Sequence, residues 1–290
     1  IAIRFTEHMS IWGKIQYEYH KENSAIRQII MINLAAFIFT IFVGVIAKLS
    51  GFLPNDLLQY FYIPSNLGKL IIRPWTILTN IFFHAGFWHL LGNMILLYFI
   101  GRILEGFTST LNVWKIFLYG GISGALLFVF SYNFFPLFSE VVAYKKLLGA
   151  SGGVTAIIVA AGAYLPRYQI RPFGLFNVEL RWVALFFVFR DLYMFPVSDN
   201  TGGLFAHIGG AVFGLLFIMN LQGKLPIAPI TVKKPSFLQS KKKDERHFKP
   251  FNQKQKPNQE EIDAILDKIS QSGYDSLSKT EKDTLFKASE

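Results

Sequence analysis

Ser151, His207, His89 and Asn93 have side-chain types that can carry out acyl chemistry at a carbonyl group, and all four lie in apolar stretches of the chain. A serine hydroxyl becomes a nucleophile when an imidazole within hydrogen-bond reach accepts its proton. Placing a polar side chain in apolar surroundings costs free energy, so each polar residue in these stretches is a candidate for function. We expect Ser151 to be the nucleophile and His207 its general base.

His89 and Asn93 are four residues apart, so their side chains share one face of a helix. Metal ligation is one interpretation, but the chain has no cysteine, its apolar stretches offer no suitably placed second carboxylate, and Asn is a poor transition-metal ligand. Donors to a developing oxyanion fit these residue types better, and each contributes about 3–4 kcal/mol in a dry site. We expect an oxyanion hole here, and neither a metal nor another cofactor.

Glycines flank the candidate nucleophile and follow the candidate base. A lone Ser in an apolar helix is usually structural, because its hydroxyl bonds to a carbonyl of the same helix. Gly149 and Gly152, however, leave access to Ser151, and the start of a helix offers unpaired amides to an anion. Gly210 and Gly214 form a GxxxG face that allows close approach to another backbone. If that neighbour is the helix of Ser151, nucleophile and base can meet.

Three further polar residues lie in the same stretches. His84 is about 140° around a helix from His89, and we interpret it as a support for the loop or pocket. Arg190 and Asp191 are adjacent, so their side chains should not face the same direction. Asp191 could complete a catalytic triad or reach the outer water, and we favour the second interpretation. No role for Arg190 follows from the sequence.

The elements that carry these residues are predicted to be membrane helices. Hydrophobic residues make up 52% of the 290 residues, and 30 Phe exceed what a soluble domain of this size carries. A bilayer core of about 30 Å needs about 20 apolar residues in a helix, and runs of helix length without period-two alternation favour an all-α polytopic bundle over a barrel. Six spans are predicted, within residues 29–47, 74–101, 116–137, 147–166, 182–197 and 201–223.

Lys and Arg near the ends of the spans indicate the orientation, because cytoplasmic loops carry an excess of both. An N-terminus inside places most of these residues, together with the basic tail, in the cytoplasm. Both termini are therefore predicted to be cytoplasmic. The second, fourth and sixth helices then enter from the outer face, so His89, Ser151 and His207 lie near their starts at similar depth.

The charge distribution divides the chain. Half of the charged side chains follow residue 222, in less than a quarter of the chain, and the net charge of +10 is spread over both parts, which argues against a nucleic-acid partner. We predict an N-terminal cytoplasmic segment over residues 1–27, a six-helix domain over 28–222, a basic linker over 223–257 and a small cytoplasmic helical hairpin over 258–290.

Capping boxes predict the two helices of the hairpin. Asn258 and Ser278 each precede a glutamate by three residues, the spacing at which cap and carboxylate satisfy one another's amides. We expect helices near residues 259–271 and 279–288. The hairpin could bind a cytosolic partner or only add solubility.

The candidate residues, in this order, resemble the rhomboid family of intramembrane serine proteases over about residues 28–222. The resemblance rests on His84, His89 and Asn93 in the second span, Gly149-Ala150-Ser151-Gly152 at the start of the fourth, and Ala206-His207 followed by Gly210 and Gly214 in the sixth, with Pro74-Trp75 and Gly101-Arg102-Ile103-Leu104-Glu105 as supporting motifs. Three motifs in order on the expected helices make the resemblance specific.

The resemblance implies a six-helix fold with a Ser151–His207 dyad, needing no acidic third member, in a water-filled cavity open to the outer face. It also implies an oxyanion hole of His89, Asn93 and the Ser151 amide, a gate at the fifth helix, and single-span membrane proteins as substrates. Three positions depart from the family pattern, and one of them is Arg190, a charged residue inside the gate helix. Thr76 follows Trp75 where Arg is common, and Thr155, four residues after the nucleophile, stands where an aromatic residue often packs on the histidine.

We therefore expect an intramembrane serine endopeptidase that cleaves transmembrane segments near the outer face. The alternative is a proteolytically silent rhomboid-like protein that binds transmembrane helices, and a small transporter is less favoured because discontinuous repeats and paired buried charges are missing from the pattern. The expected location is a bacterial inner (plasma) membrane, crossed several times, with the lipid bilayer and membrane substrates as partners.

Overall fold

The computed structural model describes residues 24–225 and 259–288. The chain divides into two compact units, with the boundary between Pro229 and Ile230. Most of the predicted N-terminal segment and basic linker, and the predicted cap Asn258, lie outside the described residues.

Helices dominate the first unit, as the absence of period-two patterning predicts. In chain order they are α1 (Ala25–Leu49), α2 (Pro54–Leu58), α3 (Leu67–Ile72), α4 (Thr76–Thr79), α5 (Phe87–Phe107), α6 (Thr110–Phe134), α7 (Ser151–Tyr164), α8 (Leu180–Met194) and α9 (Thr201–Leu221). Short 3-10 turns cover Gln59–Phe61, Asn80–Phe82, Pro136–Phe138 and Pro172–Gly174. Two antiparallel strand pairs join β1 (Ile63–Pro64) to β2 (Lys146–Leu147) and β3 (Gln169–Ile170) to β4 (Val178–Glu179).

Each predicted span corresponds to one helix, and the all-α membrane fold is confirmed. Within the described residues, α1, α5, α6 and α9 are long and apolar enough to cross a bilayer, whereas α7 is apolar but has only 14 residues. The fourth span begins later than predicted. Lys146 and Leu147 pair as a strand, and Gly149 has a φ of +138°, so the helix starts only at Ser151.

The short helix α7 lies at the centre of the bundle. It packs against α5, α6, α8 and α9, and residues 152–162 are all buried. A helix that is hydrophobic on nearly every side lies either inside a protein core or in a membrane, and the burial of residues 152–162 by other parts of the protein places α7 in the core of the bundle. At 1.5 Å per residue its length is about 21 Å, less than the bilayer core of about 30 Å.

Glycines bring the backbones of α6, α7 and α9 into direct contact. A Cβ on Gly210 would overlap the carbonyl oxygen of Gly152, and a Cβ on Gly214 would overlap that of Ala156. Between α6 and α9, a Cβ on Gly124 would overlap the Ala206 carbonyl oxygen. Small residues at helix interfaces permit this approach in a bilayer, where packing replaces the hydrophobic effect as the force between helices.

Polar contacts anchor the segments that surround the bundle. Glu105, the last residue of the motif in α5, accepts hydrogen bonds from the Ala25 amide at 2.5 Å and the Ser24 hydroxyl at 2.7 Å, and so caps the start of α1. In the first loop, Trp75 Nε1 donates to the Tyr60 carbonyl at 2.8 Å, and the Arg73 guanidinium lies 4.0 Å from the Tyr60 ring centroid. The loop is therefore held without the arginine that often follows this tryptophan in the family.

The second unit contains helices α10 (Gln259–Ser272) and α11 (Lys279–Ala288), which contact each other. The expected capping box is present at α11, where the Ser278 amide donates to Glu281 at 2.7 Å and the Glu281 amide to Ser278 Oγ at 3.3 Å. Hydrogen bonds from Lys268 and Ser278 lower the pKa of the Glu281 carboxyl to about 2. The ion pair between Lys268 and Glu281 therefore remains charged well below neutral pH.

The contact at Gly210 predicts a measurable cost for one added methyl group. We expect Gly210→Ala to lower the free energy of unfolding by about 1–3 kcal/mol, because α7 and α9 must separate to accommodate a Cβ. Unfolding in detergent, followed by circular dichroism, measures the effect. Gly106→Ala in α5 is the matched control, since a Cβ there meets open space. Equal stability of the two variants would contradict this account of the packing.

Candidate active site

A cavity of about 490 Å³ opens between α5, α7, α8 and α9. Its walls are mostly apolar, with a small number of polar groups that converge on it, as in many ligand sites. The polar and charged lining residues are His89, Asn93, Lys146, Ser151, Thr155, Arg190, Asn200 and His207. The four residues that the sequence singled out for chemistry, on three different helices, therefore line one cavity.

Ser151 is the first residue of α7, and its side chain is partly exposed to the cavity. The preceding residue, Ala150, caps the helix without a side-chain hydrogen bond. The first amides of a helix have no partner within the helix, so the start of α7 presents N–H groups beside the Ser151 hydroxyl. This arrangement suits a site where negative charge develops.

Gly149 allows the loop before α7 to pass close to His89. Its φ of +138° is one that L-residues rarely adopt, and a Cβ there would lie 2.8 Å from His89 Cε1. The Gly149 amide donates to the Asn80 carbonyl at 2.9 Å. The Asn80 side chain in turn donates to the Thr76 and Ile77 carbonyls. The loop is thereby fixed to the segment that precedes α5.

His84 lies beneath this loop. Its side chain is buried, and its Nε2 accepts a hydrogen bond from the Ala150 amide at 3.5 Å. Its ring packs edge-on against His89, with centroids 5.2 Å apart. His84 thus contacts both the loop that leads to the nucleophile and a candidate oxyanion donor, which is the position of a supporting residue.

Asn93 is buried on the cavity side of α5, and one amide N–H donates to the His89 carbonyl at 2.7 Å. An amide group has two N–H donors, so a second remains for a ligand. His89 is partly buried beside it. The two residues line the same cavity, as their spacing on one helix face requires.

His207 is the seventh residue of α9 and is held by a residue of α8. Its Nδ1 lies 2.9 Å from Asp191 Oδ2. Among the described residues, no hydrogen bond joins His207 to Ser151, although both line the cavity. Catalytic hydrogen bonds are often long in a site without substrate.

Two expectations about α8 are wrong. Asp191 does not reach the outer water: its side chain is 3% exposed and is bound to His207. Arg190 does not point away from it, because its Nε and a terminal nitrogen lie 3.1 and 2.5 Å from Asp191 Oδ1. Adjacent helix residues diverge at Cβ, but the long arginine side chain bends back around the helix to its neighbour. The signal in the sequence was an acidic residue inside an apolar helix.

Lys146 is a cavity residue that the sequence did not single out. It lies in β2, donates to the Asn55 side chain, and its Nζ is 5.1 Å from the Tyr62 ring centroid. Burial lowers the pKa of Lys146 and raises that of Tyr62. Within residues 24–225 and 259–288, no group of three His, Asp or Glu side chains could hold a metal ion.

Comparison with known proteins identifies the family. The family model of the Rhomboid domain matches residues 73–223, slightly more than half of the chain, and a family of unknown function matches residues 249–290. Several curated proteins are similar to the chain. Rhomboid-related protein 1 of Caenorhabditis elegans is 31% identical over 51% of this chain and 40% of the relative, and the mitochondrial Rhomboid protein 1 of Saccharomyces cerevisiae is 25% identical over 56% of this chain and 43% of the relative. Inactive RHOMBOID-like protein 8 of Arabidopsis thaliana is 28% identical over 48% of this chain and 35% of the relative.

The match covers less than half the length of these relatives, and one of them is named as inactive. One of them is mitochondrial, so the expected bacterial inner membrane is not supported, whereas a multi-pass membrane protein is confirmed. The matched region contains α5 to α9 and every candidate site residue. By fold, by motif and by this match, the chain belongs to the rhomboid family.

Proposed function

We propose that the protein is an intramembrane serine endopeptidase. The observation that carries the proposal is the cavity into which a serine at a helix start, two histidines and an asparagine converge from three helices. A solvated hydroxyl and an imidazole supply a nucleophile and a base, and the remaining donors can bind an oxyanion. Domain boundaries at residues 28–222 for the protease domain and 258–290 for the hairpin are part of the proposal.

In this mechanism Ser151 Oγ attacks the substrate carbonyl carbon while His207 Nε2 accepts the hydroxyl proton. Nδ1 cannot be the base because it is bound to Asp191. The tetrahedral intermediate collapses when the imidazolium donates its proton to the leaving amine, and an acyl-enzyme remains. A water molecule, deprotonated by the same imidazole, then attacks the ester, and Ser151 recovers its proton.

The negative oxygen of the intermediate is assigned to the donors beside Ser151. These are the amide of Ser151 at the helix start, the second N–H of Asn93 and the His89 ring. Each is held before substrate arrives, Asn93 by its own helix and His89 by the His84 ring and the glycine at position 149. Preorganised donors need not reorient during the reaction, which is why they stabilise the transition state.

The short helix α7 supports cleavage below the membrane surface. A helix of about 21 Å that reaches one face of the bilayer ends several ångströms below the other face. With both termini cytoplasmic, as the charge distribution predicts, that recessed end carries Ser151 and faces the outer side. The proposed substrates are single-span membrane proteins whose helices unwind there.

The alternative is a silent rhomboid-like protein that binds transmembrane helices, and a relative named as inactive gives it weight. The presence of both Ser151 and His207 favours the protease, since loss of either side chain is the simplest route to silence. The hairpin is proposed as a binding site for a cytosolic partner.

Removal of the nucleophile should abolish cleavage. We expect Ser151→Ala to lower the rate of cleavage of a single-span model substrate by at least about a thousandfold, because the variant lacks the hydroxyl that forms the acyl-enzyme in this mechanism. Purified protein in detergent or proteoliposomes, with product quantified by mass spectrometry, gives the measurement. Equal cleavage by both proteins would end the proposal. A fluorophosphonate that labels the wild type but not His207→Ala separates the protease from the silent alternative.

Loss of one oxyanion donor should act on the chemical step. We expect Asn93→Ala to lower kcat by about 10²- to 10³-fold with little change in KM, because the donor acts on charge that develops only in the transition state. Steady-state kinetics on a fluorogenic transmembrane peptide distinguish the two constants. An increase in KM alone would assign Asn93 to substrate binding.

Water must reach the hydroxyl for the acyl-enzyme to be hydrolysed. The chain has no native cysteine, so a single thiol reports on one position. We expect Ser151→Cys to react rapidly with a charged methanethiosulfonate reagent, because residue 151 lines the cavity. Ala160→Cys is the matched control, since Ala160 lies in the same helix and is fully buried. Equal protection of both thiols would show that the cavity is closed to water.

A further inference from the structure

The contact between α8 and α9 gives the candidate base a fixed acidic partner. His207 Nδ1 and Asp191 Oδ2 are 2.9 Å apart, and the two side chains are only 15% and 3% exposed. A carboxylate can only accept, so the neutral imidazole carries its proton on Nδ1 and has Nε2 free to accept another. Among the described residues, no aromatic ring packs on His207, and Thr155 lies in the cavity instead. The carboxylate is therefore the contact that sets the orientation of the ring.

Arg190 pairs with the buried Asp191 carboxylate and offsets the cost of burying its charge. An isolated charge in an apolar helix bundle is strongly disfavoured unless it is paired and hydrogen-bonded. The guanidinium binds Asp191 Oδ1 through two nitrogens, while Oδ2 binds His207. The guanidinium also lies 5.3 Å from the Phe187 ring centroid, and its side chain is 41% exposed, so its own charge remains partly solvated. Arg190, Asp191 and His207 thus form a continuous hydrogen-bonded chain, of which Arg190 and His207 line the cavity.

We propose that Asp191 is a positioning residue that completes a Ser151–His207–Asp191 triad, with Arg190 holding the carboxylate in place. The assignment rests on the proposed function. Asp191 touches no reacting atom: it holds the tautomer in which Nε2 can accept the Ser151 proton, and it stabilises the imidazolium that forms during attack. Asp191 stays ionised throughout the cycle, and the transferred proton goes from Ser151 Oγ to His207 Nε2 and then to the leaving amine.

Asp191→Asn tests the assignment because Arg190 determines how the new amide is oriented. Arginine has donors only, so the amide oxygen must stay at the Oδ1 position, and the NH₂ group then faces His207. The imidazole must accept at Nδ1 and carry its proton on Nε2, which is the wrong tautomer for a base. We expect kcat to fall about a hundredfold or more with KM nearly unchanged, and the variant to remain folded.

A second variant separates this role from a structural one. In Arg190→Ala/Asp191→Asn the amide is no longer fixed and can rotate, so its oxygen can again accept from Nδ1–H. We expect part of the lost kcat to return, although the double variant removes more native contacts. Histidine ¹⁵N NMR, with the signals of residue 207 identified by their loss in His207→Ala, should show a protonated Nδ1 in the wild type, a protonated Nε2 in Asp191→Asn, and a return towards the first form in the double variant.

Glu179→Gln is the matched control, because it makes the same change at the start of α8, where Glu179 pairs with Arg181 away from the cavity. We expect its kcat to equal that of the wild type. Near-normal kcat and an unchanged tautomer in Asp191→Asn would overturn the assignment, as would a further loss in the double variant. If the wild type and Ser151→Ala cleave equally, the proposed function fails, but the NMR tautomers still decide whether Asp191 positions His207.

Discussion

The site depends on the direct backbone contact between α7 and α9. Gly210 rests on the carbonyl of Gly152, and Gly214 on that of Ala156, at distances that exclude a Cβ on either α9 glycine. Lipid supplies no hydrophobic force between helices, so close packing of small residues has to fix their separation. Because His207 lies one turn before Gly210, and Ser151 one residue before Gly152, the contact also determines that both side chains line the same cavity.

A second constraint is that polar groups in this bundle need partners. The Gly149 and Ala150 amides are satisfied by Asn80 and His84, and the Asp191 carboxylate by Arg190 and His207. An unpaired group would cost several kcal/mol in such surroundings. The same hydrogen bonds that satisfy the fold therefore hold the nucleophile loop and the base before substrate arrives. Stability and preorganisation have one structural cause here.

The sequence predicted the helices well, because gaps between charges report directly on burial in lipid. It also predicted that His89, Asn93, Ser151 and His207 would face one pocket, because their spacing and the glycines act locally. The prediction from sequence failed at two places where the structure depends on contacts that the sequence pattern does not show. The start of α7 was placed too early because the pairing of Lys146 with Pro64 is not visible along the chain. The Arg190–Asp191 contact was missed because the direction of the Cα–Cβ bond predicts where a short side chain points, but not where the end of a long, flexible arginine side chain lies.

The most direct test is an experimental structure of the protein inhibited by a fluorophosphonate in lipid. The account predicts a covalent bond from phosphorus to Ser151 Oγ, with the phosphoryl oxygen directed at Asn93, His89 and the start of α7, and with His207 Nε2 beside Ser151 Oγ. A structure in which phosphorus is bound elsewhere, or in which His207 lies beyond reach of Ser151, would contradict it.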